Sequence, residues 1–143
     1  MKKIKELNLI GRREKVDFPD LGLFGIYAKV DTGAYTTALH CHDIQIKEIG
    51  NQKFLCFKLL DPSHPEYNEQ EIEFNTFSTK EIKNSFGNLE KRFVIKAKIK
   101  LARRTINTTI SLTDRGNMRY PVLIGRKFLR GRFIVDVSRE NLW

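Results

Sequence analysis

The largely alternating run of apolar and polar residues through Arg92-Phe93-Val94-Ile95-Lys96-Ala97-Lys98-Ile99-Lys100 is the feature that most constrains the fold. Only an extended strand turns a two-residue period into one face for a core and one for water. The same period runs from Lys47 to Leu60, broken at Gly50-Asn51 where a hairpin turn fits, and again through Glu71-Ile72-Glu73-Phe74. Thr105–Leu112 is rich in β-branched residues, which suit a pleated, half-buried surface. Pro121–Leu129 reads as a buried apolar strand that reaches Gly125 and turns into a short helix around Lys127–Arg130, ended by Gly131. Six or more strands and one short C-terminal helix predict an all-β, closed or nearly closed barrel. At 143 residues the chain is expected to be a single domain, residues 1–143. The most loop-like stretch is Asp61-Pro62-Ser63-His64-Pro65-Glu66-Tyr67-Asn68.

Chemistry concentrates at Asp31-Thr32-Gly33-Ala34, directly after the alternating run Ile26–Val30. A strand that ends in this tetrapeptide places a carboxylate on a tight turn. Gly33, without a Cβ, is expected to take backbone angles closed to other residues and to admit a close neighbour. The Thr32 hydroxyl could hydrogen-bond across that approach. Two such carboxylates sharing one proton can activate a water and polarise a carbonyl. The sequence holds one Asp-[Ser/Thr]-Gly; Asp114-Arg115-Gly116 lacks the hydroxyl and reads as a turn. A second carboxylate must therefore come from a second copy, which two-fold symmetry supplies naturally.

The pair formed by Asp31-Thr32-Gly33-Ala34 and Ile124-Gly125-Arg126 before a short helix resembles the retropepsins, single-lobe homodimeric aspartic proteases. A closer resemblance is to the bacterial and archaeal retropepsin-like group labelled ATP-dependent zinc proteases. It rests on Ile10–Glu14, Ala28–Ala34, Thr37-Ala38-Leu39-His40, Leu112–Arg115, Met118–Arg126 and Gly131–Asp136, and covers most of the chain. The resemblance implies a retropepsin-like barrel and a homodimeric peptidase, with Asp31, Thr32 and Gly33 in the catalytic turn. Ala34, Gly87 and Arg126 are the expected substrate-side residues. Ala34 is expected against Ile124-Gly125. Arg126 is read as an ion-pairing residue at the dimer edge or as a surface cation beside the helix. Retropepsins cover substrate with a glycine-rich hairpin, and no Gly-Gly cluster stands between Asp31 and Ile124. The candidates for that cover are the Asp61–Asn68 loop and the turn Asn84-Ser85-Phe86-Gly87-Asn88, with Gly87 at its tip. Relatives in this group are associated with ATP-grasp ligases that add glutamate to proteins or peptides, so such a ligase is a candidate partner.

Charge is uneven. Residues 91–143 carry 14 Lys and Arg against Asp114, Asp136 and Glu140, a net of +11, while residues 1–90 carry 12 against 14 acids. A basic surface suits an acidic, glutamate-rich peptide or protein substrate. Nucleic acid is the weaker reading, because Lys96, Lys98 and Lys100 describe a solvated strand face and no nucleic-acid-binding motif accompanies them. Arg12 and Arg13 are read as solvated strand ends rather than substrate ligands. His40-Cys41-His42 is the one cluster of possible zinc ligands; His40 and His42 share a face, but a third protein ligand is missing. His40 is expected behind the catalytic turn and His42 in solvent. With no phosphate-binding glycine loop either, neither zinc nor ATP is assigned. The absence of a membrane-length apolar run or secretory leader, with only Cys41 and Cys56, leads us to expect cytoplasmic residence, free thiols and no membrane partner. Two rival readings stay open: a non-catalytic barrel binding an acidic peptide or a ligase, in which Asp31 is a plain turn residue, and a basic nucleic-acid-binding barrel.

Overall fold

The computed structural model describes residues 6–83, 86–114 and 120–143. Of the expected features, the charged start Met1–Lys5, the turn residues Asn84 and Ser85, and Arg115, Gly116, Met118 and Arg119 lie outside the described residues. Among the described residues eleven strands are formed: β1 (Asn8–Gly11), β2 (Arg13–Phe18), β3 (Leu23–Val30), β4 (Thr37–Ile49), β5 (Gln52–Leu59), β6 (Glu71–Phe74), β7 (Ser78–Lys83), β8 (Leu89–Leu101), β9 (Arg104–Thr113), β10 (Val122–Ile124) and β11 (Phe133–Asp136). One short helix, α1 (Arg126–Leu129), follows β10.

Six strands close a ring of pairings in the order β10, β3, β2, β8, β9, β4 and back to β10. The alternation in β8 does what its period requires. Ile95, Ala97, Ile99 and Leu101 are buried, and Lys96, Lys98 and Lys100 between them are exposed. They meet Phe18, Ile26, Leu39, Phe57, Ile110, Leu112 and Phe128 in one apolar cluster. Burial of this area is the main favourable term in folding. The β4–β5 hairpin turns at Gly50, whose φ of 65° is left-handed and costs glycine little.

Four strands escaped the sequence reading: β1, β2, β7 and β11. β1 and β11 pair in parallel as a separate two-stranded sheet, with the chain end folded against it. β7 pairs with β8 beside the ring. Its sequence, Ser-Thr-Lys-Glu-Ile-Lys, has one strongly apolar residue and so carries no period. Cys41 and Cys56 are both buried and unbridged. No helix among the described residues is long and apolar enough to cross a membrane.

Candidate active site

β10 lies between β3 and β4, parallel to the first and antiparallel to the second. The chain that leaves β3 must therefore pass over the end of β10 to reach β4, and residues 31–36 make that passage. Backbone hydrogen bonds fasten the crossing. The Asp31 N–H donates to the Ile124 carbonyl (2.9 Å), the Arg126 N–H to the Ala34 carbonyl (2.8 Å) and the Lys127 N–H to the Tyr35 carbonyl (2.9 Å). The Gly125 N–H donates to Oγ1 of buried Thr37 (3.2 Å). Gly125 is required by space: a Cβ there would stand 2.6 Å from the Tyr35 carbonyl oxygen. It packs on Tyr35 and Thr36, a residue or two beyond the expected Ala34. Ala34 meets the downstream motif through its carbonyl instead.

The Asp31 carboxylate is half-buried and accepts the Gly33 N–H at 3.0 Å through Oδ1. Gly33 is not left-handed. Its place in the turn follows from proximity, since a Cβ would lie 3.2 Å from that same Oδ1. Thr32 is exposed, and its carbonyl accepts Arg126 Nη1 at 2.8 Å. Arg126 therefore braces the Asp31 turn from α1.

Asp31 opens into a cleft of about 470 Å³ whose opposite side is β7. Lys80, Glu81, Ile82 and Lys83 line it together with Gly33, Ala34, Tyr35, Thr36 and Arg126. The β7–β8 hairpin is thus the element that faces Asp31 across the cleft. Gly87, left-handed at φ 83°, belongs to its connection and stands outside the cleft wall. The Asp61–Asn68 loop, the other candidate for the cover, folds elsewhere: Tyr67 Oη lies 3.3 Å from His42 Nε2, and Asp61 Oδ2 lies 3.9 Å from His40 Nε2. Cationic Lys80, Lys83, Arg92 and Arg126 outnumber anionic Asp31 and Glu81 around the cleft. An anionic chain is favoured there.

The possible zinc ligands have other partners. His40 is buried as expected, but His42 is partly buried rather than in solvent, because its Nδ1 pairs with the Leu60 carbonyl at 2.8 Å. With Tyr67 on Nε2, both His42 nitrogens are engaged. Among the described residues, one group brings three ligating atoms within 4.8 Å of one another: Cys56, Glu71 and Glu73. Lys47 Nζ already sits 2.7 Å from Glu71 Oε1. Burial and the two carboxylates push the Cys56 thiol up, which keeps it protonated.

Arg12 and Arg13, read as solvated strand ends, both reach Glu140, at 2.8 and 3.4 Å. Trp143, on which the sequence was silent, donates Nε1 to the Leu9 carbonyl at 2.8 Å. Tyr35, Thr37 and Lys80 are site residues that sequence reasoning missed. Tyr35 and Thr37 flank the Asp-Thr-Gly-Ala motif closely enough to have been found. Lys80 had no signal, because only tertiary pairing brings β7 to the cleft.

Compared with known proteins, residues 9–142 match the model of the RimB-like family, described as retropepsin-like aspartic endopeptidase RimB. The chain belongs to the RimB-like family. Its curated relatives include a protein named probable alpha-L-glutamate ligase from Shewanella halifaxensis, 34% identical over 136 residues, covering 92% of this chain and 29% of the relative. Another of the same name from Desulfotalea psychrophila is 31% identical over 143 residues, covering 94% and 31%. This RimB-like chain thus spans less than a third of the length of these curated relatives. A Legionella pneumophila crystal structure of a protein of unknown function superposes with a TM-score of 0.74 at 25% identity, covering 96% of this chain and 98% of that one.

Proposed function

We propose that this RimB-like protein is an aspartic peptidase that works as a homodimer, with Asp31 from each copy forming the catalytic pair. One Asp31 carboxylate, ionised, takes a proton from a water. The other, protonated, donates a hydrogen bond to the scissile carbonyl as its oxygen gains charge. Two like charges so close cannot both ionise, which is how one group keeps its proton. The observation that carries the reading is the place of Asp31: a turn fastened on β10, at the floor of a cleft roofed by a hairpin. Thr32, exposed next to it, is free to face a second copy.

The cationic lining supports an acidic, glutamate-rich peptide or protein as substrate. The relatives named as glutamate ligases match this chain over about a third of their length. That kinship favours an ATP-grasp ligase as a partner, with the peptidase acting on chains that such a ligase extends.

Cleavage of a diverse peptide library, including glutamate-rich members, from acidic to neutral pH tests the reading. Wild type is expected to cleave with or without a metal chelator, and Asp31→Asn to lose activity by at least about a thousandfold. No cleavage by wild type, with tight binding of an acidic peptide, would favour a non-catalytic binding module. Equal cleavage by both proteins would remove Asp31 from the mechanism.

A further inference from the structure

Tyr35 stands where three parts of the site meet. It is on the wall of the Asp31 cleft and also of a second cleft of about 470 Å³, lined with Thr32, Arg126, Leu129 and Phe133. Tyr35 is 47% exposed, and two cations from different elements lie over its ring. Lys80 Nζ, from β7, is 5.2 Å from the ring centroid and 3.4 Å from Thr36 Oγ1. Arg126 Cζ, from α1, is 5.9 Å from the centroid while Nη1 of the same side chain holds the Thr32 carbonyl. The Tyr35 backbone is fixed separately, by the Lys127 N–H on its carbonyl. The ring is therefore presented to both cations from a rigid base.

We propose that Tyr35 is a positioning residue that couples closure of the β7–β8 hairpin to the geometry of the Asp31 turn. The inference rests on reading this cleft as the substrate site. β7 pairs with β8 alone, so its height over the cleft depends on side chains that reach across. Lys80 makes that reach and ends on Tyr35 and Thr36. A cation over an aromatic face is attracted by the ring quadrupole, and the attraction needs the ring, not the hydroxyl. Arg126 draws on the same ring while it braces the carbonyl next to Asp31. Lifting the hairpin removes Lys80 from the ring, and removing the ring loosens both Lys80 and Arg126. One side chain thus serves the roof and the floor of the cleft.

Amide hydrogen exchange of the full chain tests this without any substrate. Each exposed cation–ring contact corresponds to roughly 2- to 5-fold in an opening equilibrium. Tyr35→Leu is expected to speed exchange in both Ser78–Lys83 and residues 31–36 by about 3- to 10-fold, and Tyr35→Phe to keep the wild-type rates. Lys80→Met should speed the first segment most and carry a smaller acceleration into residues 31–36, and Arg126→Met the reverse. Wild-type rates in Tyr35→Leu, or a Tyr35→Phe as fast as Tyr35→Leu, would overturn the proposal. If Tyr35→Leu does not fold, Lys80→Met decides: unchanged exchange in residues 31–36 sinks the coupling. A wild-type protein that cleaves no peptide would end the peptidase reading, and the exchange rates would still judge the coupling.

Discussion

Glu14 shows how much a single buried side chain can hold. It is 1% exposed, and its carboxylate accepts the N–H groups of Gly11 (2.7 Å), Leu142 (3.1 Å) and Trp143 (3.1 Å). Three amides from two ends of the chain converge on one acceptor, and a buried donor without a partner costs about 1–3 kcal/mol. Two of the three are only partly buried, so Glu14→Ala is expected to lose about 2–4 kcal/mol in urea denaturation. A loss under about 0.5 kcal/mol would show that water replaces the carboxylate. Cys41 gives a pH signature. Burial pushes its thiol far above the ordinary range. The folded protein keeps this proton at a pH where the unfolded chain has released it. The contribution to stability is therefore whole below about pH 8.5, the ordinary thiol value, and falls as pH rises beyond it. Wild type should lose more stability than Cys41→Ala between about pH 8 and 10. Equal slopes for the two proteins would count against the burial argument. Consistent with it, iodoacetamide should label Cys41 only after unfolding.

Among the elements, β10 has the largest consequence for its size. All three of its residues pair with β3 and two of them, Val122 and Leu123, also with β4, and the glycine after it lets the Asp31 loop cross in contact with its backbone. Gly125→Ala puts a methyl group against the carbonyls of a loop that is hydrogen-bonded on both sides. The expected cost is about 1–3 kcal/mol, read by thermal or urea unfolding, with a larger proportional loss of peptide cleavage because Asp31 sits on the displaced segment. Full activity in a destabilised Gly125→Ala protein would mean that the loop absorbs the shift away from Asp31. The strands with a clear period, β4, β5, β8 and β9, were legible in the sequence, as was the glycine-ended helix. β7 was not, because a strand with mostly polar side chains has no hydrophobic period to read. The proline-rich loop looked like a cover by composition, but Tyr67 and Asp61 attach it to the two histidines of β4.

At the scale of the whole molecule, a single Asp-Thr-Gly per chain makes the assembly part of the proposed chemistry. If the pair forms across a two-fold axis, a mixed dimer of wild type and Asp31→Asn holds only one competent carboxylate. An excess of Asp31→Asn, equilibrated with wild type, is then expected to suppress cleavage well below the value for wild type diluted alone. Unchanged activity in the mixture would place the working unit in a single chain. The charge distribution acts at the same scale. The basic residues between 91 and 143 are spread over strands and helix, yet Arg92 and Arg126 converge on the cleft with Lys80 and Lys83 from the other half. Their common field is what an acidic chain would meet, and it weakens with added salt.

By itself the sequence determined the strand period, the hairpin at Gly50, the lone Asp31-Thr32-Gly33 and its companion Ile124-Gly125-Arg126. Each is a local statement: side-chain alternation, a turn residue or a short motif acts over a few neighbours along the chain. Tertiary structure alone decided that β10 enters between β3 and β4, that a nearly patternless β7 roofs Asp31, and that His42, Arg12 and Arg13 have protein partners. It also brought Tyr35, Lys80 and Arg126 to one ring. Those results depend on which strand edges and side chains meet across tens of residues, and distance along the chain leaves no trace of that.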